Sequence, residues 1–486
     1  MSKTTVLYKD VAPAAERDAS LSTNGAQDFS QTALLPPGDD GAAIISLERN
    51  RWLLNGKFAH YENRIVGFWS TEISDKTGLF QNAPVITVEF SQQHSSVGVT
   101  LHFDVGTGEY CPDVNIKWYQ QDTLKADVNF HPDSVRYFCE KTVTRYDKIV
   151  ITLKRTSLPG RYAKLPRIIF GVFREFGMAD LRSASVVNQM DGIAETLPVS
   201  TFNWTLDSRE DVDYMFQLKQ PVEIRNDGNL LGVYYIDRHV RKTKQVYDIE
   251  GNDAIGVLDE SVFAGGVYVN KSAKELLAEI IGADFEIEYA SDVEDTTLSG
   301  ILQSVSKRSA VQQVLFAWGV CMATDGSRAL RVFNLDDSLT AIGKGQTFFG
   351  VTVETDAIVT EVRVTAHSYT EDTNGGIEVG GKKYTDIQAI YTVSSPDVTA
   401  TDKQNVKEFR GATLVSPSIA QSVAQRIYNW YLRRSTAKAD IVWKGEALGD
   451  YVSFPNSWGG SNAGSITKME IKLSNTVVSK CKAVGE

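Results

Sequence analysis

With 486 residues, 42% of them hydrophobic and 23% charged, the chain has room for roughly two to four domains and the composition of folded globular protein, which excludes wholesale disorder, collagen-like repeats and coiled coil. It carries 61 acidic against 50 basic side chains, a net charge of −11, so non-specific attraction to nucleic acid or an anionic membrane is not expected. Four scattered cysteines, Cys111, Cys139, Cys321 and Cys481, cannot make a disulfide framework and read as free thiols formed in a reducing cytoplasm.

In chain order, Met1 to Asp10 lacks an apolar core, and apolar stretches such as Arg167 to Phe173 fall far short of the roughly 20 residues that span a bilayer. Neither a secretion signal nor membrane insertion is expected. Residues 1–45 read as an arm or linker: Ala12 to Asp40 is rich in Ala, Ser, Gly, Asn and Pro, has no apolar period, and ends in Leu34-Leu35-Pro36-Pro37-Gly38-Asp39-Asp40. Over 46–172, from Trp52 onward, apolar residues recur at every second position, as in Ile86, Val88 and Phe90, Val97, Val99, Leu101 and Phe103, Val114, Ile116 and Trp118, and Ile149, Ile151 and Leu153. Period two with polar residues between means half-buried strands, and without an amphipathic helix the natural product is a jelly-roll sandwich of two antiparallel sheets.

Residues 173–270 are again strand-rich and predict a small barrel or meander. Pro221 to Ile224 and Leu230 to Asp237 flank Asn226-Asp227-Gly228-Asn229, a tight hairpin turn, and a basic corner, Arg238 to Lys242, precedes a strand over Gln245 to Glu250. Residues 271–345 predict a mixed α/β insert. Ser272 and Glu275 form a capping box ahead of the stripe Leu276, Leu277, Ile280 and Ile281, with Gly282 as the stop, and Arg308 to Trp318 repeats that logic before Gly319. Between these helices lies an acidic stretch, Asp284 to Asp295, with no Lys or Arg from Glu275 through Ser306. Residues 346–486 predict a second barrel carrying a helix over 417–434, with Ser416 as N-cap and Pro417 in the first turn. The fold class is mainly β with a few helices, α+β.

Chemistry is harder to find. None of the six histidines stands in a metal-ligand spacing, and His102, between Leu101 and Phe103, reads as a strand histidine on the polar face. Gly343-Lys344-Gly345-Gln346-Thr347 lacks phosphate-loop spacing, no nucleophile elbow exists, and the many acids include no privileged pair for sugar hydrolysis. The acidic stretch does not match a calcium loop and reads as a solvated strand edge or a negatively charged inner wall. No catalytic residue, metal or cofactor is expected. Of the aromatic cluster Tyr110, Trp118 and Tyr119, Trp118 belongs to the core, which leaves Tyr110 and Tyr119 as the candidates for stacking on a glycan.

Gly67-Phe68-Trp69-Ser70, Pro84 to Phe90, Ser96 to Asp104, Tyr146 to Ile151 and Pro166 to Gly171 resemble a discoidin-like jelly roll attached to phage tail proteins. Gln220 to Ile224, Gly232 to Asp237, Asp253 to Asp259, Gly265 to Tyr268, Arg308 to Ala317 and Gly449 to Val452 resemble tail hub proteins of bacteriophages and phage-tail-like bacteriocins, the group that includes the myophage baseplate hub and the tail-associated lysin. The resemblance implies a homotrimer whose two barrel-like domains per subunit form a pseudo-sixfold ring between a hexameric tail tube and a trimeric spike. Its implied partners are the tail tube protein, the spike or tip protein, other baseplate proteins and the tape measure protein, at the tail tip of a particle made in a bacterial host's cytoplasm. The chain stops at Glu486 without the peptidase or muramidase domain of the lysin members, so the expectation is a structural protein and no enzyme. The alternative is a host cell-wall carbohydrate binder acting through the sandwich; a glycosidase built on that sandwich is a third reading, and sequence-specific nucleic-acid binding is not expected.

Overall fold

The computed structural model describes residues 4–11, 15, 18–27, 30, 48, 67–208, 216–324, 327–335, 338–396, 404–474 and 476–485. Trp52 and the Leu34 to Asp40 linker lie outside them. The chain divides into two compact units, Lys9–Arg174 and Glu175–Glu486, the latter including Met1–Tyr8.

In the first unit the period-two pattern becomes one antiparallel sheet. Its order is Ser20–Asn24, Val85–His102, Arg136–Arg155, Asp113–Gln120 and Thr123–Phe130, with Arg167–Ile169 also on Val85–His102. The two long strands pair with register shifts between Glu89 and Gly98. Such bulges bend a strand, so the two expected layers are continuous through these strands. At the bend Gly98 is required, because a Cβ there would lie 2.3 Å from the carbonyl oxygen of Cys139. Ile86 and Val88 before the bend share one core with Val99 and Leu101 after it, and with Ile116, Trp118, Ile149 and Ile151.

Part of the segment predicted as an arm is strand. Thr4–Val11 pairs antiparallel with Pro221–Asn226, from Thr4 opposite Asn226 to Tyr8 opposite Val222, and Ser20–Asn24 pairs with Val85 to Glu89. Backbone ladders hold both, and a ladder makes no demand on side-chain type; Ser20–Asn24 keeps its side chains exposed or half-buried, so it shows no apolar signal.

The second unit is organised by a sheet in which Leu181–Gln189 lies between Thr201–Asp207 and Ser461–Lys472. On one side the order continues through Val246–Asn252, Asn229–Arg241 and Pro221–Asn226; on the other through Val478–Gly485, Ser435–Val442 and Thr347–Thr355. The two barrel halves are thus joined edge to edge, with Ser185 to Gln189 opposite Lys472 to Lys468. Val186 faces Phe202 on one side and Ile471 on the other, and all three lie in a core that the halves share. The predicted hairpin turn is present: Asn226 pairs with Asn229, and Asp227 and Gly228 take φ of 49° and 84°. The basic corner is not a corner. Asn229–Arg241 continues as strand to Arg241, with a register shift between Ile236 and Arg238, Arg238 opposite Glu250 and Arg241 opposite Tyr247, because opposite-charge cross-strand pairs allow a charged run to remain sheet.

Four helices occur among the described residues: α1 (Ala254–Leu258), α2 (Ala273–Ile281), α3 (Lys307–Trp318) and α4 (Ala420–Leu432). The Ser272 side chain accepts from the Glu275 amide to start α2, and Gly319, at φ 97°, ends α3. Helix α4 begins three residues later than predicted. Residues 417–419 form a turn, and the Ser416 hydroxyl bonds that of Ser418 instead of capping a helix. Within 346–486, read from sequence as one barrel with a helix, the strands Glu361–Glu371, Ile377–Val379, Lys382–Ser394 and Val406–Phe409 form a separate sheet. That sheet and α4 share a core with α1, α2 and α3, while Thr347–Thr355 and Ser435–Val442 pair directly across the insertion, Thr355 opposite Ser435.

Candidate assembly surface

The seam between the barrel halves is the best-defined feature of the second unit. Strand alternation puts Val186, Met469 and Ile471 on the core side and leaves Lys468, Glu470 and Lys472 on the other. On the core side an open cleft of about 720 Å³ runs past Asn188, Leu231, Glu288, Arg331, Trp443 and Ile471. Its polar groups are tied down: the Tyr234 hydroxyl donates to Asn188 Oδ1 at 2.7 Å, and the Trp443 indole donates to the Glu446 carbonyl at 2.9 Å. Nearby, the buried Glu223 holds Arg225 and Arg328 at 3.2 and 3.0 Å. None of these bonds crosses between the halves; what joins them is the backbone ladder of the seam and the shared core.

A second buried acid sits where the first barrel meets α1. Asp253, fully buried, accepts from the Gly256 amide at 3.0 Å and the Thr324 hydroxyl at 2.8 Å. Burial pushes its carboxyl up to about 6, against hydrogen bonds from Thr324, Gly256 and Ser200 that pull the other way. The folded state therefore keeps a proton that the unfolded chain releases near 3.8. The resulting stability is complete below about pH 4 and is lost as pH rises to about 6, a swing on the order of 3 kcal/mol. Asp253→Asn is expected to abolish that slope. Urea titrations between pH 4 and 7 check it: parallel wild-type and variant curves would refute it.

The acidic stretch is partly consumed by structure. Asp284 pairs with Lys307 at 2.5 Å, and Asp295 accepts from the Ser272 hydroxyl and the Lys274 amide at the start of α2. Glu286, Glu288 and Glu294 remain exposed.

The two candidate sugar contacts do not meet. Asp113 pairs with Arg155 and Tyr119 with Lys148, so Tyr119 stands at one end of Asp113–Gln120, while Tyr110, whose amide donates to Ser157 Oγ at 3.2 Å, stands beyond the other. Six residues of strand, roughly 20 Å, separate Asp113 from Tyr119. Lys148 Nζ also lies 5.5 Å from the Tyr119 ring centre, and Tyr110 packs against the core. Trp118 is fully buried.

Burial, with Arg136 and Arg167 beside it, pushes His102 down to about 4, so it is neutral at pH 7. His367 was not singled out in the sequence. It is buried with Nδ1 2.8 Å from Asp386 Oδ2 and Nε2 3.0 Å from the Arg410 carbonyl, and with both nitrogens engaged it is a cross-link between strands. No sequence spacing signals that pair. Among the described residues no cluster of His, Cys, Asp and Glu is arranged to hold a metal, and no helix is long and apolar enough to cross a membrane.

No protein-family model matches the chain, and no curated protein does. Among solved structures it is similar to a tail protein from Neisseria meningitidis MC58, 12% identical with a TM-score of 0.48 over 64% of this chain and 94% of that one. It is also similar to the 43 kDa tail protein of prophage MuSo2 from Shewanella oneidensis, 9% identical with a TM-score of 0.46 over 64% of this chain and 96% of that one. Both are described as tail proteins, the second of a prophage. Similarity to discoidin II from Dictyostelium discoideum is slighter, 9% identity and a TM-score of 0.19 over 48% of this chain and 87% of that one.

Proposed function

We propose that the chain is a structural tail hub of a phage or phage-tail-like particle, without enzymatic activity, that works as a homotrimer joining a hexameric tail tube to a trimeric spike or tip. The observation that carries this reading is the antiparallel seam of Ser185 to Gln189 with Lys468 to Lys472, which makes two barrel halves one sheet with one core. A chain that presents two rigidly related barrels offers six in a threefold ring, and that number is what symmetry matching to a sixfold tube needs. The sequence resemblance to tail hubs points the same way. Tape measure protein and other baseplate proteins are the remaining partners of this reading, with the tail tip as its place.

The glycan-binding alternative has less support, because Tyr110 and Tyr119 cannot line a common site. The test is the mass of the full chain by sedimentation, alone and with tube and spike proteins. A trimer, or a ring formed on the tube, is expected. A protein that stays monomeric with both partners present would overturn the assignment.

A further inference from the structure

Across three neighbouring strands of the second barrel, Lys438 faces Lys482 and Lys482 faces Lys468, so three ammonium groups stand in one cross-strand row. Like charges directly opposite one another destabilise a sheet, and this row lies in a protein of net charge −11. Lys472 and Lys480 extend the same face, and among the described residues neither they nor Lys482 make an ion pair. Lys438 bonds Glu354 at 2.7 Å, Lys468 bonds Glu470 at 2.9 Å, and Asp440 and Glu470 stand opposite Lys480, so Lys438, Lys468, Lys472, Lys480 and Lys482 outnumber the acids Glu354, Asp440 and Glu470 and the face stays basic overall. The row also borders an open groove of about 660 Å³ whose charged lining is Lys438, Asp440, Lys468, Glu470, Lys480 and Lys482, four lysines against two carboxylates.

The complementary surface lies on the same chain but out of its reach. Glu286, Glu288 and Glu294 are exposed on and beside the strand Ile287–Tyr289. Glu288 borders the cleft on the side of Ser461–Lys472 that carries Met469 and Ile471, whereas Lys468 and Lys472 project from the opposite side. The two charged surfaces cannot neutralise each other within one molecule.

We propose that the lysine groove receives the acidic strip of a second copy of this chain, a head-to-tail contact that three copies close into a ring. The inference rests on the trimer reading and names the surfaces that would make it.

The experiment compares the full-length wild type with two double variants, Lys468→Glu with Lys482→Glu and Glu286→Lys with Glu294→Lys, and with the fourfold variant that combines them. Sedimentation equilibrium is run from about 50 to 500 mM salt, where screening of exposed charges rises steeply. Each double variant is expected to weaken self-association at least about tenfold at low salt, and the fourfold variant to restore part of it, since the substituted charges are then reversed in both partners. Trimers that persist in both double variants with unchanged salt dependence would overturn this interface and leave the trimer reading intact. A monomeric wild type, with tube and spike present, would overturn both. Binding of a short DNA duplex that is lost in Lys468→Glu with Lys482→Glu, while self-association is unaltered, would also overturn it and assign the groove to a nucleic-acid backbone.

Discussion

Replacing Lys164 by methionine is expected to destabilise the first unit by about 3 to 5 kcal/mol, the usual consequence of removing one partner from a buried charge cluster. Lys164 Nζ lies 2.6 Å from Glu48 Oε1 and 3.0 Å from Glu109 Oε2, and Arg161 Nε lies 2.6 Å from Glu109 Oε1. The four side chains are between 0% and 9% exposed. Glu48 Oε1 also accepts from the Tyr162 amide at 3.0 Å, and the Trp69 ring centre is 4.9 Å from the ammonium. Methionine keeps most of the volume but removes the charge, leaving the buried carboxylates of Glu48 and Glu109 without the cation they share, Arg161 remaining on Glu109. For a unit of this size the loss corresponds to a melting temperature lower by roughly 10 °C. Calorimetry, with hydrogen exchange on Val85–His102 and Arg136–Arg155, reads it. Adding Glu48→Gln and Glu109→Gln should recover part of the loss; a fall of less than about 1 kcal/mol for Lys164→Met alone would mean that the cluster is more solvated than its geometry implies.

Val186→Asp is expected to cost more than about 4 kcal/mol and to loosen both barrel halves together. The side chain sits between Phe202 and Ile471, one from each half, and none of the three is more than 1% exposed. A carboxylate there has no cation to meet, so it must either stay ionised in an apolar site or take up a proton. Val187→Asp, one residue along on the opposite face and half-buried, is the matched control and should cost far less. Hydrogen exchange followed strand by strand distinguishes the outcomes. If protection falls in Thr201–Asp207 but persists in Val478–Gly485, the halves are separate folding units and the seam is a contact between independent barrels.

The parts of this fold legible in the sequence are those whose cause is local. Ser272 before Glu275, Gly319 after the stripe of α3 and the Asp227-Gly228 turn were all read correctly, because a cap or a tight turn is decided by residues within four positions of one another. Local signals failed where two structures satisfy them equally. Ser416-Pro417 suits both a helix start and the turn that precedes α4, and Arg238 to Lys242 reads as a corner until Asp248 and Glu250 lie opposite it. For the candidate surface the residue types were visible and their grouping was not. Nothing along the chain brings Lys438, Lys468 and Lys482 into one row, or indicates that Tyr110 and Tyr119 are held apart.

Period two announces that a strand has a wet and a dry face, which is why a mainly β chain with short capped helices could be read from residue order alone. It carries no record of the strand's neighbour, since backbone N–H and C=O groups pair alike with any partner in register. Three-dimensional packing therefore settled that Thr355 meets Ser435 across an inserted sheet, that Thr4 to Tyr8 pairs with a strand more than 200 residues later, and that Ser185 to Gln189 meets Lys472 to Lys468. The last of these pairings makes the two halves one sheet with one core, and the proposed hub role depends on it.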